Sequence, residues 1–249
     1  MTKSEHWITG IHAVTQLLQR RPQDIVRLLI NADRADKRLS AVRKEANSHQ
    51  VLLEELSPEE LERACPQAHQ GVAALTTGAK PEMTEKQLLE YLANLEHPVF
   101  LLVLDGITDP HNLGACLRSA DAAGVDAVII PKDKSVGLTP TVSHVASGAA
   151  ESVNLVTVTN LSRTLKALQA QNIWLVGTDD EAEVELFQQD LNGNLALVMG
   201  SEGVGLRRLT RECCDFLVSI PMAGAVSSLN VSVATGIALF EAVRQRRCE

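Results

Sequence analysis

The stretch Val99-Phe-Leu-Leu-Val-Leu-Asp-Gly-Ile-Thr-Asp-Pro-His-Asn-Leu-Gly-Ala-Cys-Leu-Arg118 decides the fold of the larger part of the chain. It begins with a continuous apolar run, which is typical of a strand that is covered on both faces. A loop rich in Gly, Asp and Pro follows, and Asn112 and Arg118 then lie near the start of a predicted helix. A buried strand that leads through such a loop into a helix indicates a parallel α/β sheet with a pocket at its carboxyl edge.

From Val99 onward, apolar strands alternate with helices. This alternation predicts a mostly parallel sheet with helices on both faces. The strand candidates are Val99–Leu104, Ala127–Ile130, Leu155–Val158, Ile173–Val176, Leu195–Met199 and Phe216–Ile220. A long last helix is expected from about Val231 to Arg246, with arginines at its carboxyl end, where the helix dipole favours positive charge.

Residues 1–78 are expected to form a separate, small α/β domain. Its strand candidates are Ile25–Ile30, Gln50–Leu56 and Gly71–Thr77. The segment Ser57-Pro-Glu-Glu60 predicts a helix start, because Ser can cap, Pro suits the first position and Glu suits the third.

Gly and Pro in Gly78–Met83 break this pattern and predict a linker. A helix capped by Thr84 is expected next. We therefore predict that residues 79–97 connect the first domain to a second domain at 98–249.

Composition narrows the class of protein. The chain has 249 residues, 45% of them apolar, and no apolar run approaches the ~18 residues of a membrane span. The N-terminus is polar and lacks a signal-peptide core, so a cytoplasmic protein without a membrane partner is expected. Its five cysteines include no C-x-x-C pair, which predicts reduced thiols and no metal site, with only a small chance of chemistry at Cys116.

Charge is distributed unevenly along the chain. Residues 1–78 hold ten Lys/Arg and ten Asp/Glu, whereas residues 79–249 hold thirteen and twenty-one. Basic residues in the first domain crowd one stretch, which includes Arg34, Lys37, Arg38, Arg43 and Lys44. Such a cluster is either a solvated helix face or a surface that contacts phosphates.

The loop Gly200-Ser-Glu-Gly-Val-Gly205 has the spacing of a ligand-binding loop but matches neither common nucleotide motif. It is neither the dinucleotide fingerprint nor a P-loop. Glu202 would repel a phosphate unless a metal intervened. An uncharged or cationic ligand fits better, and S-adenosylmethionine, a sulfonium without phosphate, has this chemistry.

The loop Ile220-Pro-Met-Ala-Gly-Ala-Val-Ser-Ser-Leu-Asn230 precedes the last helix. Ser228 and Asn230 are explained about equally well by helix capping and by ligand binding. The extended apolar part of the loop, in which Gly224 allows close approach of the backbone, favours a ligand.

Together, the three loops resemble the motifs of the SpoU, or TrmH-like, class of RNA 2′-O-ribose methyltransferases in the SPOUT superfamily. Residues 105–120, 197–206 and 220–246 carry the resemblance, and residues from about 3 to 77 resemble the family's small RNA-binding domain. The resemblance implies a C-terminal trefoil knot, a homodimer and S-adenosylmethionine as the cofactor. It also implies methylation of a guanosine ribose in 23S ribosomal RNA, in the peptidyl-transferase region.

The resemblance further assigns roles to single residues. It implies cofactor binding around Gly200, Ile220 and Leu229, and it implies the catalytic set Asn112, Arg118, Glu202, Ser228 and Asn230. Because arginine is effectively always protonated in proteins, Arg118 is better suited to orienting a phosphate and stabilising the alkoxide than to acting as a base. RNA binding is expected at the basic stretch of residues 34–44.

Two other functions remain open at this point. One is a transfer-RNA 2′-O-methyltransferase of the same family, and the other is a catalytically idle RNA-binding factor for ribosome assembly. The substrate could be ribosomal RNA itself or an assembling large ribosomal subunit.

Overall fold

A computed structural model of the chain describes residues 5–66, 69–77 and 83–247. The chain divides into two compact units, Met1–Pro81 with Ser147–Ser152, and Glu82–Ala146 with Val153–Glu249. Most of the predicted linker, residues 78–82, lies outside the described residues. Within the described part of the chain, no helix is both long and apolar enough to cross a membrane.

The first unit contains a four-stranded sheet with the order β1-β4-β2-β3. The strands are β1 Glu5–Thr9, β2 Ile25–Asn31, β3 Leu53–Leu56 and β4 Val72–Thr77, and the helices are α1 Ile11–Arg20, α2 Lys37–Ser48 and α3 Pro58–Ala64. The predicted β2, β4 and helix start at Ser57 are confirmed, including the capping box of Ser57 and Glu60. The prediction that β3 starts at Gln50 is wrong, because Gln50 has a left-handed φ of 57°, which an extended strand does not contain.

Successive side chains of a strand point to opposite faces of the sheet, so this unit has buried apolar residues on both faces. Leu28 and Ile30 of β2 pack with residues of α1 and α2, including Leu17 and Leu39. The intervening Leu29 packs with α3 on the other face. The strand β1 was not predicted from the sequence.

The second unit contains a seven-stranded sheet with the order β7-β6-β5-β10-β8-β11-β9. Its strands are β5 Phe100–Asp105, β6 Ala127–Pro131, β7 Asn154–Val158, β8 Trp174–Thr178, β9 Val184–Glu185, β10 Leu195–Gly200 and β11 Phe216–Ser219. Each described pair is parallel, so the predicted parallel sheet is confirmed. All six predicted strands are present, and the two-residue β9 was missed.

Helices cover both faces of this sheet, as predicted. They are α4 Glu85–Ala93, α5 Pro110–Ala123, α6 Pro140–Val145, α8 Leu161–Gln169, α9 Arg208–Arg211 and α10 Val231–Arg246, while the short α7 Ala149–Ser152 belongs to the first unit. On one face, Leu101 and Val103 of β5 pack with residues of α4 and α8. Leu102 and Leu104 alternate to the opposite face and are fully buried, and α10 packs there against β10 and α5. The trefoil knot implied by the resemblance stays a prediction.

Candidate active site

The three loops that the sequence singles out lie at the carboxyl edge of the second sheet. They follow β5, β10 and β11, and β10 lies between β5 and β8, with β11 next to β8. A cavity of about 600 Å³ opens at this edge. Parallel strands bring the loops together there, which is where open α/β sheets bind their ligands.

All three residues predicted to bind a cofactor line this cavity. Gly200, Ile220 and Leu229 belong to its wall, and so do Glu202 and Ser228 of the predicted catalytic set. The wall also contains the carboxylates of residues 179–181, which sequence reasoning missed. Three acidic residues directly after a buried strand were the available signal. Arg208 and Arg211 also line the wall, where Arg211 is paired with Asp179 and Arg208 with Glu212. Asp180 and Glu181 therefore carry the negative charge that favours a cationic ligand in the cavity.

The loop after β10 is a closed hairpin that admits only glycine at its base. Ser201 and Gly205 exchange two backbone hydrogen bonds, with N–O distances of 3.1 and 2.9 Å. A Cβ on Gly200 would lie 2.2 Å from the carbonyl carbon of Gly205. The backbone of the cavity wall can therefore fold this tightly only because residue 200 has no side chain.

Glu202 of this hairpin connects all three loops. Its Oε1 accepts hydrogen bonds from Nδ2 of Asn112 at 3.2 Å, from Nδ2 of Asn230, and from the backbone N–H of Val231 at 3.2 Å. Nδ2 of Asn230 also donates to Oδ1 of Asn112 at 2.9 Å. Three residues of the predicted catalytic set are thus in direct contact, although Glu202 and Asn230 lie 90 and 118 positions after Asn112 in the chain.

The carboxylate of Glu202 lies at the N-terminus of α10, where unpaired backbone N–H groups favour an anion. Asn230 caps the same helix, since its Oδ1 accepts from the backbone N–H of Ser232 at 3.0 Å. Asn230 therefore both caps α10 and contacts the other residues of the site. Because Glu202 already supplies the anion at this terminus, a phosphate-bearing cofactor is disfavoured there.

Arg118 lies on α5 and is exposed. Among the described residues its guanidinium forms no hydrogen bond or ion pair, so the surface ion pair that is common for such an arginine is not made. Arg118 lies in the third turn of α5 and outside the described lining of the cavity, and its fixed positive charge is available for a ligand phosphate.

Cys116, two residues before Arg118 on the same helix, is a poor candidate for chemistry. It is fully buried, and burial raises the pKa of its thiol to about 11. A thiol of this kind is inert near neutral pH because only the thiolate is a good nucleophile. Cys65, Cys213 and Cys214 form no disulfide among the described residues, and Cys248 lies outside the described residues.

The basic residues predicted to contact RNA lie on or just before α2 of the first unit. Arg34 forms an ion pair with Asp36 at 2.7 Å, and Arg43 forms one with Glu55 at 3.0 Å. The side chains of Lys37, Arg38 and Lys44 are exposed, and within the described ranges they form no ion pair. Arg34 is also exposed and Arg43 is partly buried, so ion pairing, not exposure alone, separates these two from the other three predicted positions.

Comparison with known proteins matches both units. Residues 99–240 match the SpoU rRNA Methylase family. The chain belongs to this family. Residues 7–82 match the RNA 2′-O ribose methyltransferase substrate-binding domain, so both parts of the resemblance stated above are confirmed.

Similar proteins with assigned names cover nearly the whole chain. The 23S rRNA (guanosine-2′-O-)-methyltransferase RlmB of Shewanella oneidensis is 56% identical over 98% of this chain and 99% of its own length. The protein of the same name from Escherichia coli K12 is 56% identical, with 96% and 98% covered. The SpoU methyltransferase AviRb of Streptomyces viridochromogenes, solved in complex with the cofactor AdoMet, has a TM-score of 0.77 and 26% identity, with 98% of this chain and 92% of that chain covered.

Proposed function

We propose that this chain transfers a methyl group from S-adenosylmethionine to the ribose 2′-hydroxyl of a guanosine in 23S ribosomal RNA, in the peptidyl-transferase region. Relatives that carry this activity in their names are 56% identical over nearly the full length. The single structural observation that carries the proposal is the contact of Glu202 with Asn112, Asn230 and the N-terminus of α10 beside the cavity.

The chemistry of the cavity supports S-adenosylmethionine as the cofactor. Gly200, Ile220 and Leu229 offer backbone and apolar surface, and Asp180 and Glu181 add negative charge at the wall. A cationic sulfonium without phosphate fits this combination. When bound, S-adenosylmethionine supplies an activated methyl group.

The reaction requires the 2′-hydroxyl to lose its proton as its oxygen attacks the methyl carbon. We assign to Asn112, Glu202 and Asn230 the task of holding the three loops in one arrangement around the cavity. We assign to Ser228 a contact with the substrate or cofactor at the cavity wall. Much of the rate then comes from holding the hydroxyl close to the methyl group.

Arg118 is assigned to the RNA. Its unpaired guanidinium would orient a phosphate next to the target ribose and stabilise the negative charge that develops on the 2′-oxygen. This role requires no proton transfer by the arginine, and it agrees with the exposed position of the side chain.

The first domain, proposed as residues 1–78, supplies RNA binding, and the second, proposed as residues 98–249, supplies the chemistry; residues 79–97 connect them. Lys37, Arg38 and Lys44 are exposed and form no ion pair with the described residues, so we assign the phosphate contacts to them first, with the ion-paired Arg34 and Arg43 beside them. An enzyme acting on ribosomal RNA, or on an assembling large ribosomal subunit, works in the cytoplasm, which is the compartment we propose.

A homodimer is part of the proposal. Val233 and Phe240 lie two turns apart on one side of α10, and they are 50% and 49% exposed. Apolar side chains exposed along one helix face commonly mark a protein interface. We propose that a second copy of the chain covers this face.

The test is transfer of labelled methyl from S-adenosylmethionine to ribosomal RNA, transfer RNA and precursor ribosomal particles, followed by mapping of the modified ribose. One 2′-O-methylguanosine in 23S RNA is expected. Label in transfer RNA would move the substrate to the alternative member of the family. No label in any of them would favour an idle assembly factor.

A further inference from the structure

The exit of the cavity hairpin is held by two ion pairs that the sequence analysis did not single out. After the hairpin, Arg207 caps α9 and Arg211 ends it. The two arginines are four residues apart, which places them on the same side of a helical turn. Each binds a carboxylate at the carboxyl end of a different strand.

Arg207 binds Asp105, the last residue of β5. Oδ2 of Asp105 accepts the backbone N–H of Arg207 at 3.0 Å, and Oδ1 accepts from its guanidinium. Asp105 is fully buried. A buried carboxylate is tolerated only with a partner of this kind, so Arg207 is held at this strand end.

Arg211 binds Asp179, which directly follows β8. The guanidinium donates to Oδ2 of Asp179, and this hydrogen bond raises the pKa of Arg211. The Asp179 side chain is only 12% exposed, and its backbone N–H donates to Val218 of β11 at 2.9 Å. The second carboxylate is therefore also fixed to the sheet.

The two pairs stand on either side of the strand that carries the hairpin. β10 lies between β5 and β8, so α9 is attached to both neighbours of β10. The hairpin leaves β10 at Gly200 and ends at Arg207. Besides the hydrogen bonds of Glu202 and those between Ser201 and Gly205, the tip packs little apolar surface, since Val204 is 78% exposed.

We propose that these two ion pairs, Asp105–Arg207 and Asp179–Arg211, called here the loop anchors, hold the hairpin in its cofactor-ready arrangement before the cofactor binds. Asp105 and Arg207 lie outside the described lining of the cavity, so they act through the hairpin and are positioning residues, whereas Asp179 and Arg211 belong to the lining. The test therefore uses the Asp105–Arg207 pair. The inference rests on the proposed function, because it assigns the hairpin to S-adenosylmethionine.

The expected effect follows from the population of the cofactor-ready arrangement. If losing one loop anchor lowers that population to about one tenth, the apparent Kd for the cofactor rises about tenfold. The bound cofactor restores the arrangement, so kcat at saturating cofactor changes less than about threefold. A residue needed only for general stability would not separate Kd from kcat in this way.

The experiment measures S-adenosylmethionine binding by calorimetry and methyl transfer at saturating cofactor in full-length variants. The variants are Asp105→Asn, Arg207→Gln, Arg207→Lys and the double variant Asp105→Asn/Arg207→Gln. Asp105→Asn and Arg207→Gln should each raise the Kd for the cofactor about tenfold, and Arg207→Lys should retain part of the affinity. The double variant should have about the same Kd as either single variant, because all three lose the same ion pair. If Arg207→Gln does not fold because the buried carboxylate of Asp105 has lost its partner, Asp105→Asn and the double variant still test the inference. Arg163→Gln, which removes an ion pair with Glu85 elsewhere in the unit, is the matched control.

Hydrogen exchange at residues 201–206 of the free protein separates this inference from the proposed function. Exchange there should be faster in the variants than in the wild type, and saturating cofactor should abolish the difference. If the wild type binds no S-adenosylmethionine, the proposed cofactor is wrong, while the exchange rates still test the loop anchors. Unchanged exchange, or an unchanged Kd with a kcat reduced more than tenfold, would overturn the inference.

Discussion

Replacing Gly200 with alanine tests whether the hairpin geometry shapes the cavity. The added Cβ would lie 2.2 Å from the carbonyl carbon of Gly205 and 2.4 Å from the amide nitrogen of Leu206. Both are backbone atoms, so no side-chain rotation can relieve the contact. The hairpin must move by about 1 Å or more to reach an ordinary van der Waals separation.

The cost can be worked out from the contacts that this movement disturbs. Three hydrogen bonds are affected, the two between Ser201 and Gly205 at 3.1 and 2.9 Å and the one from Arg207 N–H to Asp105 at 3.0 Å. Each contributes about 1 kcal/mol, and the overpacking adds about 1–3 kcal/mol. A loss of about 4–6 kcal/mol in the free energy of unfolding corresponds to a fall in Tm of about 8–24 °C for a unit of this size.

Differential scanning calorimetry and titration with S-adenosylmethionine check both consequences. We expect Gly200→Ala to lower Tm by this amount and to raise the cofactor Kd at least tenfold. Gly137→Ala is the matched control, because a Cβ at Gly137 meets nothing within 4 Å. If both variants melt and bind as the wild type does, the argument from close backbone approach is wrong.

The remaining predictions use other parts of the chain. Arg118→Ala should abolish methyl transfer while leaving cofactor affinity nearly unchanged, with Arg163→Ala as the control; equal loss of both in transfer and calorimetry assays would contradict its role. Reversing the charge of each exposed basic residue of α2 should lower the slope of log K for RNA binding against log salt concentration by about 0.7–0.9 per lost phosphate contact. Lys86→Glu on α4 is the control and should leave this slope unchanged. An unchanged slope in the α2 variants would argue against RNA contacts at α2. Burial raises the pKa of Cys116 to about 11, so the thiol should resist alkylation in the native protein at pH 8 and react only in alkali or after unfolding; rapid modification by mass spectrometry would show that the site is open.

The sequence by itself determined the local structure of this protein. Apolar runs predicted the long parallel strands, and α10 was expected at about the residues 231–246 that it occupies. These features depend on hydrophobic periodicity and capping, which neighbouring residues encode. The two-residue β9 escaped detection because so short a segment carries no periodicity, and β1 was likewise not recognised.

The sequence predicted the candidate site only in part. The loops and their polar residues were visible, and the resemblance named Asn112, Glu202 and Asn230, but nothing local indicated that one carboxylate oxygen binds both asparagines and the end of α10. Asp105 was read only as part of a loop, although it pairs with Arg207, 102 positions away.

Tertiary structure decided these contacts because they depend on strand order. The sheet places β10 between β5 and β8, which brings Glu202 to Asn112 and Arg207 to Asp105. Secondary structure follows from interactions over a few residues, whereas strand order follows from the packing of the whole sheet and its helices. Spacing along the chain carries no direct record of that packing, so only the folded molecule shows which charges and amides meet.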